Sequence, residues 1–273
     1  SVQIYFVEEE ANKMKKFVAL LLAVLMVASL CACGQKDTGS DLQTVTKGKL
    51  IMSTNAEFAP YEYVADDGKG YEGTGYEGID IEIAYALAQK LGLELVVDNM
   101  DFDAALSAVQ TGKSDMVAAG VTVTPDRLNA MSFTDSYANG VQVVIVKEGS
   151  DIKSIDDLQG KKIGTQRGTT GFLYCSDDFG DDNVIGFDDG ATAVQNLKAG
   201  KVDCVVIDNA PAQEYVKANA GLTILDTEYA NEDYAIGIAK DNTALQEALN
   251  KALAELKADG TIQSIIDKYI PAK

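Results

Sequence analysis

The chain of 273 residues contains no histidine and no tryptophan. Without histidine it cannot form a Ser-His-Asp or Cys-His catalytic site, a histidine-ligated metal site or the usual proton shuttle near neutral pH. Basic residues are also scarce: 23 lysines and arginines stand against 42 aspartates and glutamates, a formal net charge of -19. Because this charge repels phosphate backbones and anionic bilayers alike, we expect no nucleic-acid partner.

One long apolar segment stands near the N-terminus. Lys15 and Lys16 precede an uncharged segment at residues 17–30, which at 14 residues is too short to span ~30 Å of hydrocarbon. Its length is typical of the apolar region of a secretory signal. The sequence LCAC follows at residues 30–33 and resembles the lipobox of bacterial lipoproteins, with Cys33 as the lipidated first residue of the mature chain. A Cys-x-Cys metal motif or a disulfide is the alternative interpretation.

These features divide the N-terminal region into two parts. Residues 1–32 are predicted to be a leader and lipoprotein signal peptide, with Met14 as the expected initiator. Residues 33–47 are predicted to be the lipidated cysteine and a polar, flexible tether. We therefore expect an extracytoplasmic protein, anchored by the lipid on Cys33 to the outer face of the bacterial cytoplasmic membrane.

Two further cysteines, Cys175 and Cys204, lie in the mature chain. Their spacing does not decide between two buried thiols and one disulfide. We favour two thiols.

From residue 49 onward, short apolar segments alternate with helical patterns, which is typical of βαβ units around parallel sheets. A weak repeat relates residues 105–115 to residues 193–203, an offset of 88. In both copies an amphipathic helix ends at a glycine, before a Lys-x-Asp turn and a buried strand. Two lobes of similar construction with a cleft between them explain this repeat, and chance similarity of two α/β units is the alternative. The predicted strands are 50–53, 93–97, 116–119, 141–146, 162–165 and 202–207, and the predicted helices include 79–91, 243–258 and 261–269.

Polar side chains follow several predicted strands, where ligands of open α/β sheets bind. After residues 116–119, Thr124 can cap a helix that has Pro125 at its first position, which places Arg127 near the third. A cation there opposes the helix dipole, so a bound anion beside Arg127 would explain it. A solvated surface arginine is the alternative.

Two other strand ends complete this pattern. Residues 166–171 offer N–H and O–H donors that can bind a carboxylate, although they do not match a P-loop. The apolar strand that ends at residue 207 is followed by Asp208, which either caps a helix or binds a ligand ammonium. Arg127 and Asp208 together suit a zwitterion. Phe58 and Phe102 follow two further strands and are either core residues or a sandwich for a ligand side chain.

Six segments in this order and spacing carry a family resemblance: residues 54–61 (TNAEFAPY), 77–81 (EGIDI), 100–103 (MDFD), 119–127 (AGVTVTPDR), 133–135 (FTD) and 208–210 (DNA). With them, the chain from about residue 47 to residue 270 resembles the family 3 extracellular solute-binding proteins of bacterial ABC transporters, which bind polar amino acids. The resemblance implies an α/β, periplasmic-binding-protein-like type II fold, with two α/β lobes joined by two hinge crossings. Lobe 1 would comprise residues 48–138 and 236–273, and lobe 2 residues 139–235.

The resemblance also implies a ligand site, position by position. Arg127 would bind the α-carboxylate of an amino acid, while Asp208 and the Gly120 carbonyl would bind its α-ammonium. Basic amino-acid binders often have an aspartate where Asn55 stands, so a strictly cationic ligand is not implied, and a polar uncharged or basic L-amino acid is expected. The other implied contacts are Thr122, Thr169 and Thr170 around the carboxylate, Phe58 and Phe102 beside the side chain, and Asn55 and Gln166 at its tip.

The implied activity is capture of the amino acid by lobe closure and delivery to a membrane permease. We expect a monomer without cofactor, bound metal or catalytic residues. An inert surface lipoprotein is one alternative, and two others stay open at this point. A cyclohexadienyl dehydratase-like lyase on the same fold would need an acid in the cleft, for which Glu57 is the available residue. A lipoprotein that reports its ligand to a membrane sensor is the other.

Overall fold

The computed structural model describes residues 42–271. The predicted signal peptide, Cys33 and the first part of the predicted tether lie outside the described residues, so the lipid anchor stays a prediction. In the described part of the chain, fourteen strands and eight α-helices form. The strands, in chain order, are β1 Lys49–Thr54, β2 Glu57–Phe58, β3 Glu62–Val64, β4 Tyr76–Glu77, β5 Glu94–Asn99, β6 Met116–Val117, β7 Met131–Phe133, β8 Ala138–Lys147, β9 Ile163–Gln166, β10 Val184–Phe187, β11 Cys204–Asp208, β12 Leu222–Ile224, β13 Ala230–Tyr234 and β14 Gly237–Ala239.

The helices follow the amphipathic patterns of the sequence, and three of them have the predicted bounds. Short 3-10 helices occupy Tyr71–Gly73, Ile155–Leu158 and Asp181–Asn183. None of the described helices is long and apolar enough to cross a bilayer. The α-helices are α1 Ile79–Leu91, α2 Phe102–Gln110, α3 Pro125–Ala130, α4 Thr170–Phe179, α5 Gly190–Lys198, α6 Asn209–Ala218, α7 Thr243–Ala258 and α8 Thr261–Tyr269.

Two large sheets organise the fold. The first has the strand order β5-β1-β6-β14-β7, with β1 parallel to β5 and β6, and β14 antiparallel to its neighbours. The second has the order β10-β9-β11-β8-β12, with β13 also paired to β8. Within it β9 is parallel to β10 and β11, whereas β8 is antiparallel to β11. Strands β2, β3 and β4 form a small third sheet.

The chain passes from one large sheet to the other twice. The first passage lies between Phe133 of β7 and Ala138 of β8, and the second between Tyr234 of β13 and Gly237 of β14. The two passages are joined by a backbone hydrogen bond of 2.9 Å, in which the N–H of Tyr137 donates to the carbonyl of Tyr234. The predicted fold class, two α/β halves joined by two crossings, is confirmed.

The core of the first half forms where α1, α7 and α8 pack against one another. Helix α1 buries Ile83 and Leu87, and α7 contributes Leu249, each with 0 or 1% of its surface exposed. Full burial of such a side chain stabilises the fold by about 1.5–3 kcal/mol. A neighbouring residue in the sequence also defines where α7 begins. The side chain of Asn242 caps this helix by accepting a hydrogen bond from the N–H of Leu245 at 3.2 Å.

Cys175 on α4 and Cys204 on β11 are both buried and unpaired. Burial raises the pKa of the Cys175 thiol to about 12 and that of Cys204 also above its ordinary value. The prediction of two thiols is confirmed.

Two predicted segments differ from the structure. The strand expected at residues 116–119 ends at Val117, because the chain then leaves the sheet toward Gly120, whose φ is +53°. The last residues of the predicted tether, 42–47, lie against the first half. The N–H of Val45 donates to Asp115 Oδ1 at 2.6 Å, and Asn242 donates to the carbonyl of Gln43 at 3.1 Å. These bonds attach the end of the tether segment to the domain.

Candidate ligand-binding site

A cavity, whose empty space including the part open to solvent is about 320 Å³, is lined by residues from both halves of the fold. All ten residues that the sequence predicts for the ligand site line it, together with Glu62 and Ala119. The predicted residues from the first half are Asn55, Phe58, Phe102, Gly120, Thr122 and Arg127, and those from the second half are Gln166, Thr169, Thr170 and Asp208.

Arg127 stands in the first turn of α3, as its sequence context predicts. The Thr124 hydroxyl caps the helix by accepting from the Arg127 N–H at 3.2 Å, and Pro125 is the first helical residue. The guanidinium donates to the carbonyl of Thr122 at 2.9 Å and to the carbonyl of Gly168, in the other half, at 3.1 Å. Its carbon lies 5.4 Å from the centroid of the Phe102 ring.

The charge of Arg127 is buried without a counter-ion. Only 8% of its surface is exposed, which excludes the alternative of a solvated arginine. Burial lowers the pKa of the guanidinium, although the group stays protonated. Within residues 42–271 it forms no salt bridge. A buried cation that is only partly hydrogen-bonded is costly, so this part of the cavity favours an anion.

Asp208 presents the opposite charge. It occupies the position that precedes α6, but its side chain makes no capping bond, so a capping role does not account for the carboxylate. Its Oδ1 accepts from the hydroxyl of Tyr234, and 8% of the residue is exposed. Burial, and then the nearby Glu232 carboxylate, raise the pKa of Asp208 well above its usual range. A cation beside Asp208 would stabilise its carboxylate against both the burial and the repulsion from Glu232.

Hydroxyl and amide groups complete the wall of the second half. Thr169 caps α4, with Oγ1 accepting from the N–H of Phe172 at 3.3 Å, and Thr170 is the first residue of that helix. The first N–H groups of a helix have no partner within it, so they are available to an anion. Thr170 is 3% exposed, which shields these donors from bulk water.

At another point of the cavity the two halves touch through amides. Nε2 of Gln166 donates to Oδ1 of Asn55 at 2.8 Å and to the carbonyl of Asp188 at 3.1 Å. Nδ2 of Asn55 donates to the carbonyl of Met100 at 3.0 Å. The pair therefore presents neutral polar atoms and no formal charge at this place.

Phe58 and Phe102 are core residues and cavity walls at once. Their exposed fractions are 8% and 7%, and each belongs to a buried apolar cluster as well as to the cavity lining. Phe58 stacks on Tyr61 with centroids 5.7 Å apart, and Tyr61 meets Tyr234 edge-on at 5.3 Å. This packing fixes the orientation of the rings in the cavity.

The sequence analysis missed two residues of this site. Glu62 lines the cavity and is fully buried, although a glutamate between Tyr61 and Tyr63 in a short strand gives no local sign of burial. Tyr234 is fully buried and donates to Asp208. Glu57, the acid that the lyase alternative needs, is exposed and is not among the residues that line the cavity.

The sequence matches the model of the bacterial extracellular solute-binding proteins, family 3, over residues 50–272. It is 34% identical over 266 residues to the arginine-binding extracellular protein ArtP of Bacillus subtilis (strain 168), which covers 94% of this chain and 98% of that protein. It is 33% identical over 263 residues to a probable histidine-binding protein of Neisseria gonorrhoeae, with 94% and 96% covered.

Among solved structures, an ancestral arginine-binding protein bound to glutamine matches this one with a TM-score of 0.77 and 40% identity. The match covers 83% of this chain and 100% of that one. These relatives are named as binding proteins. The chain belongs to the bacterial extracellular solute-binding proteins, family 3.

Proposed function

We propose that this protein is the substrate-binding component of an ABC importer and that it captures a polar L-amino acid in the cavity between its two halves. One observation carries the proposal: a buried guanidinium and a buried carboxylate, Arg127 and Asp208, line the same cavity, and neither forms a salt bridge within residues 42–271. The two groups match the two ends of a zwitterion. The relatives' names, which refer to arginine and histidine, support an amino acid as the ligand.

Arg127 binds the α-carboxylate of the amino acid in this proposal. Two of its N–H donors are engaged by the carbonyls of Thr122 and Gly168. A guanidinium has five such donors, so enough remain for a carboxylate. The Thr122 side chain and the backbone N–H groups of Thr169 and Thr170 add hydrogen bonds from both halves.

Asp208 and the Gly120 carbonyl bind the α-ammonium. The ammonium supplies the positive charge that the buried Asp208 carboxyl lacks, and the hydroxyl of Tyr234 keeps that carboxyl in place. Phe58 and Phe102 flank the ligand side chain, and Asn55 and Gln166 contact its tip. Because this amide pair carries no charge, a polar uncharged side chain is accommodated as well as a basic one.

Capture occurs by closure of the two lobes, which we assign to residues 48–138 with 236–273 and to residues 139–235. Direct hydrogen bonds already cross between them, from Arg127 to Gly168, from Gln166 to Asn55 and from Tyr215 to the carbonyl of Glu57. A ligand favours the closed form because only there are both of its charges paired away from water. The closed form then docks on the membrane permease.

Membership in an extracellular solute-binding family implies an extracytoplasmic location. A lipid on Cys33 would keep the captured amino acid near the permease. Neither of the other functions considered for this fold, lyase or sensor, is favoured by a contact in the described residues.

A thermal-shift screen of the twenty L-amino acids with ornithine, citrulline and cystine tests the proposal. One or a few polar amino acids should raise the melting temperature, since a ligand that binds only the folded state stabilises it. Arg127→Ala should then weaken that ligand's affinity, measured by calorimetry, by about two to four orders of magnitude.

Arg167→Ala is the matched control, because Arg167 is a neighbouring arginine that is half-exposed and paired with Asp188 at 2.8 Å. It should leave the affinity near that of the unchanged protein. If no amino acid stabilises the protein, or if Arg127→Ala binds as tightly as the control, the proposed function is wrong.

A further inference from the structure

Two carboxyl groups, Glu62 and Asp80, lie beneath the cavity with 0% and 1% of their surface exposed. Glu62 belongs to β3 and lines the cavity, whereas Asp80 is the second residue of α1. Both oxygens of Glu62 and Oδ1 of Asp80 have no hydrogen-bond donor among the residues that the structure describes. Neither residue forms a salt bridge with a lysine or an arginine among the described residues.

Two adjacent carboxylates cannot both stay ionised in such a place. Burial, and then the neighbouring Asp80, raise the pKa of Glu62 well above its ordinary value. Burial also raises the pKa of Asp80, but only to about 6, because the Gly120 N–H and the Tyr137 hydroxyl donate to it. The positive end of the helix dipole, at the N-terminus of α1, also favours a negative charge on Asp80. At neutral pH the pair therefore holds one proton, on Glu62, and a proton there gives Asp80 Oδ1 the donor it lacks.

The ionised oxygen of the pair holds two structural elements in place. Oδ2 of Asp80 accepts from the N–H of Gly120 at 2.9 Å and from the hydroxyl of Tyr137 at 2.8 Å. Gly120 is the residue whose carbonyl we assign to the ligand ammonium, and its φ of +53° is a conformation that glycine adopts without strain. Tyr137 lies in the first passage between the sheets, where its N–H bonds the second passage at Tyr234.

The surroundings of the pair contain other titratable groups, and the cation Arg127 lines the same cavity as Glu62. Tyr61 precedes β3, Tyr137 lies in the first passage, and Asp208 ends β11 on the far side of the cavity. Burial and these carboxyl groups raise the pKa of Tyr61 and Tyr137 above their ordinary values, so both phenols stay neutral near pH 7. The groups that decide the local charge are then Glu62, Asp80, Asp208 and the Arg127 guanidinium in the same cavity.

We propose that Glu62 and Asp80 form a carboxyl–carboxylate pair with a single proton, and that the pair is a positioning element that holds Gly120 against the ammonium of the bound amino acid and joins it to the passage at Tyr137. This inference rests on the proposed function for the identity of the ligand. The shared proton itself belongs to the protein without ligand.

Infrared spectroscopy of the purified, ligand-free protein tests whether Glu62 and Asp80 share a proton. At pH 7 the unchanged protein should show the carbonyl stretch of a protonated carboxylic acid that Glu62→Gln loses. Asp208→Asn, recorded in parallel, identifies any band that belongs to Asp208. If the spectra of the unchanged protein and Glu62→Gln do not differ in this region, the shared proton is excluded.

Calorimetry with the amino acid found in the thermal-shift screen tests the positioning role. Glu62→Gln should weaken binding less than Asp80→Asn does, because its amide still donates to Asp80. Asp80→Asn should weaken binding by at least about tenfold, because a neutral oxygen holds the Gly120 N–H less strongly than a carboxylate. Circular dichroism of the ligand-free variants confirms that they are folded.

The pH profile separates positioning from a merely structural role. Affinity of the unchanged protein should fall at alkaline pH, where Glu62 loses its proton and two negative charges meet under Gly120, whereas Glu62→Gln should lack this fall. A folded Asp80→Asn with unchanged affinity would overturn the positioning role. Absence of any amino-acid binding by the unchanged protein would instead contradict the proposed function. The infrared result would still show whether Glu62 and Asp80 share a proton.

Discussion

Arg127 and Gly168 belong to opposite halves of the fold, and Nη2 of Arg127 donates to the carbonyl of Gly168 at 3.1 Å. Gly168 has a φ of +75°, and a Cβ on it would lie 1.7 Å from Oδ1 of Asp103, a residue of the first half. The backbone of Gly168 thus approaches the first half closely, and the Asp103 carboxylate occupies the place of a Cβ. A methyl group on Gly168 would displace the exposed Asp103 carboxylate from this position.

Gly168→Ala should therefore weaken amino-acid binding by about threefold, because the Asp103 side chain has to turn away from the methyl group in the closed arrangement. Gly160→Ala is the matched control: Gly160 has a similar φ of +73°, but a Cβ there meets nothing within 4 Å. Both variants should lose about 1 kcal/mol of stability from the strained backbone, and only Gly168→Ala should lose affinity. Chemical denaturation and calorimetry measure the two quantities, and equal affinities would contradict the assignment of this contact to the closed state.

Binding should release a proton from Asp208 over a range of pH. Burial and Glu232 raise the pKa of Asp208 in the ligand-free protein, whereas the ligand ammonium favours its carboxylate. Affinity should consequently rise as pH increases through the ligand-free pKa of Asp208, an effect separate from the fall expected where Glu62 loses its proton. Calorimetry in two buffers of different ionisation enthalpy measures the released proton.

Asp208→Asn is the control for that linkage. It should abolish the proton release and weaken binding by about two to three orders of magnitude, since the ammonium is left without its charged partner. Proton release that persists in Asp208→Asn would assign the linkage to another group.

The stability of the ligand-free protein should fall as pH rises from about 4 to about 6. Asp80 has a pKa of about 6 in the fold against an ordinary value of 3.8, so the native state binds this proton more tightly than the unfolded state, and the raised pKa values of Glu62 and Asp208 add to the same fall. The contribution of Asp80 is fully present below the unfolded pKa, is lost up to the folded pKa, and amounts to roughly 2–3 kcal/mol. Denaturant unfolding at several pH values measures it, and Asp80→Asn should flatten this part of the profile.

Asn55→Asp should shift the preference of the site toward basic amino acids. The aspartate keeps the acceptor for Gln166 Nε2 but loses the bond to the Met100 carbonyl, and it adds a negative charge to a neutral part of the cavity. The ratio of the dissociation constant for glutamine to that for arginine, measured by calorimetry, should increase by about tenfold or more. An unchanged ratio would show that the ligand side chain does not reach Asn55.

The sequence predicted the elements whose signals are local. The bounds of α1, α7 and α8 agree with the predicted 79–91, 243–258 and 261–269. Their apolar residues recur with the helical period, and glycines end α1 at Gly92 and precede α8 at Gly260, so nothing distant in the chain is needed to define them. The small sheet of β2, β3 and β4 was not predicted, because strands of two or three residues carry too little pattern.

The ligand site likewise has features that the sequence determined and features that only the tertiary structure decided. The sequence determined which polar residues follow the strands, and it placed Arg127 in the first turn of a helix behind a threonine cap and a proline. Only the tertiary structure decided that Asp208 leaves its helix uncapped and meets Tyr234, or that Glu62 turns inward beside Asp80. Helix periods and caps depend on residues within one or two turns, whereas the burial of a charge depends on neighbours that lie far away in the chain and come together only when the two halves pack.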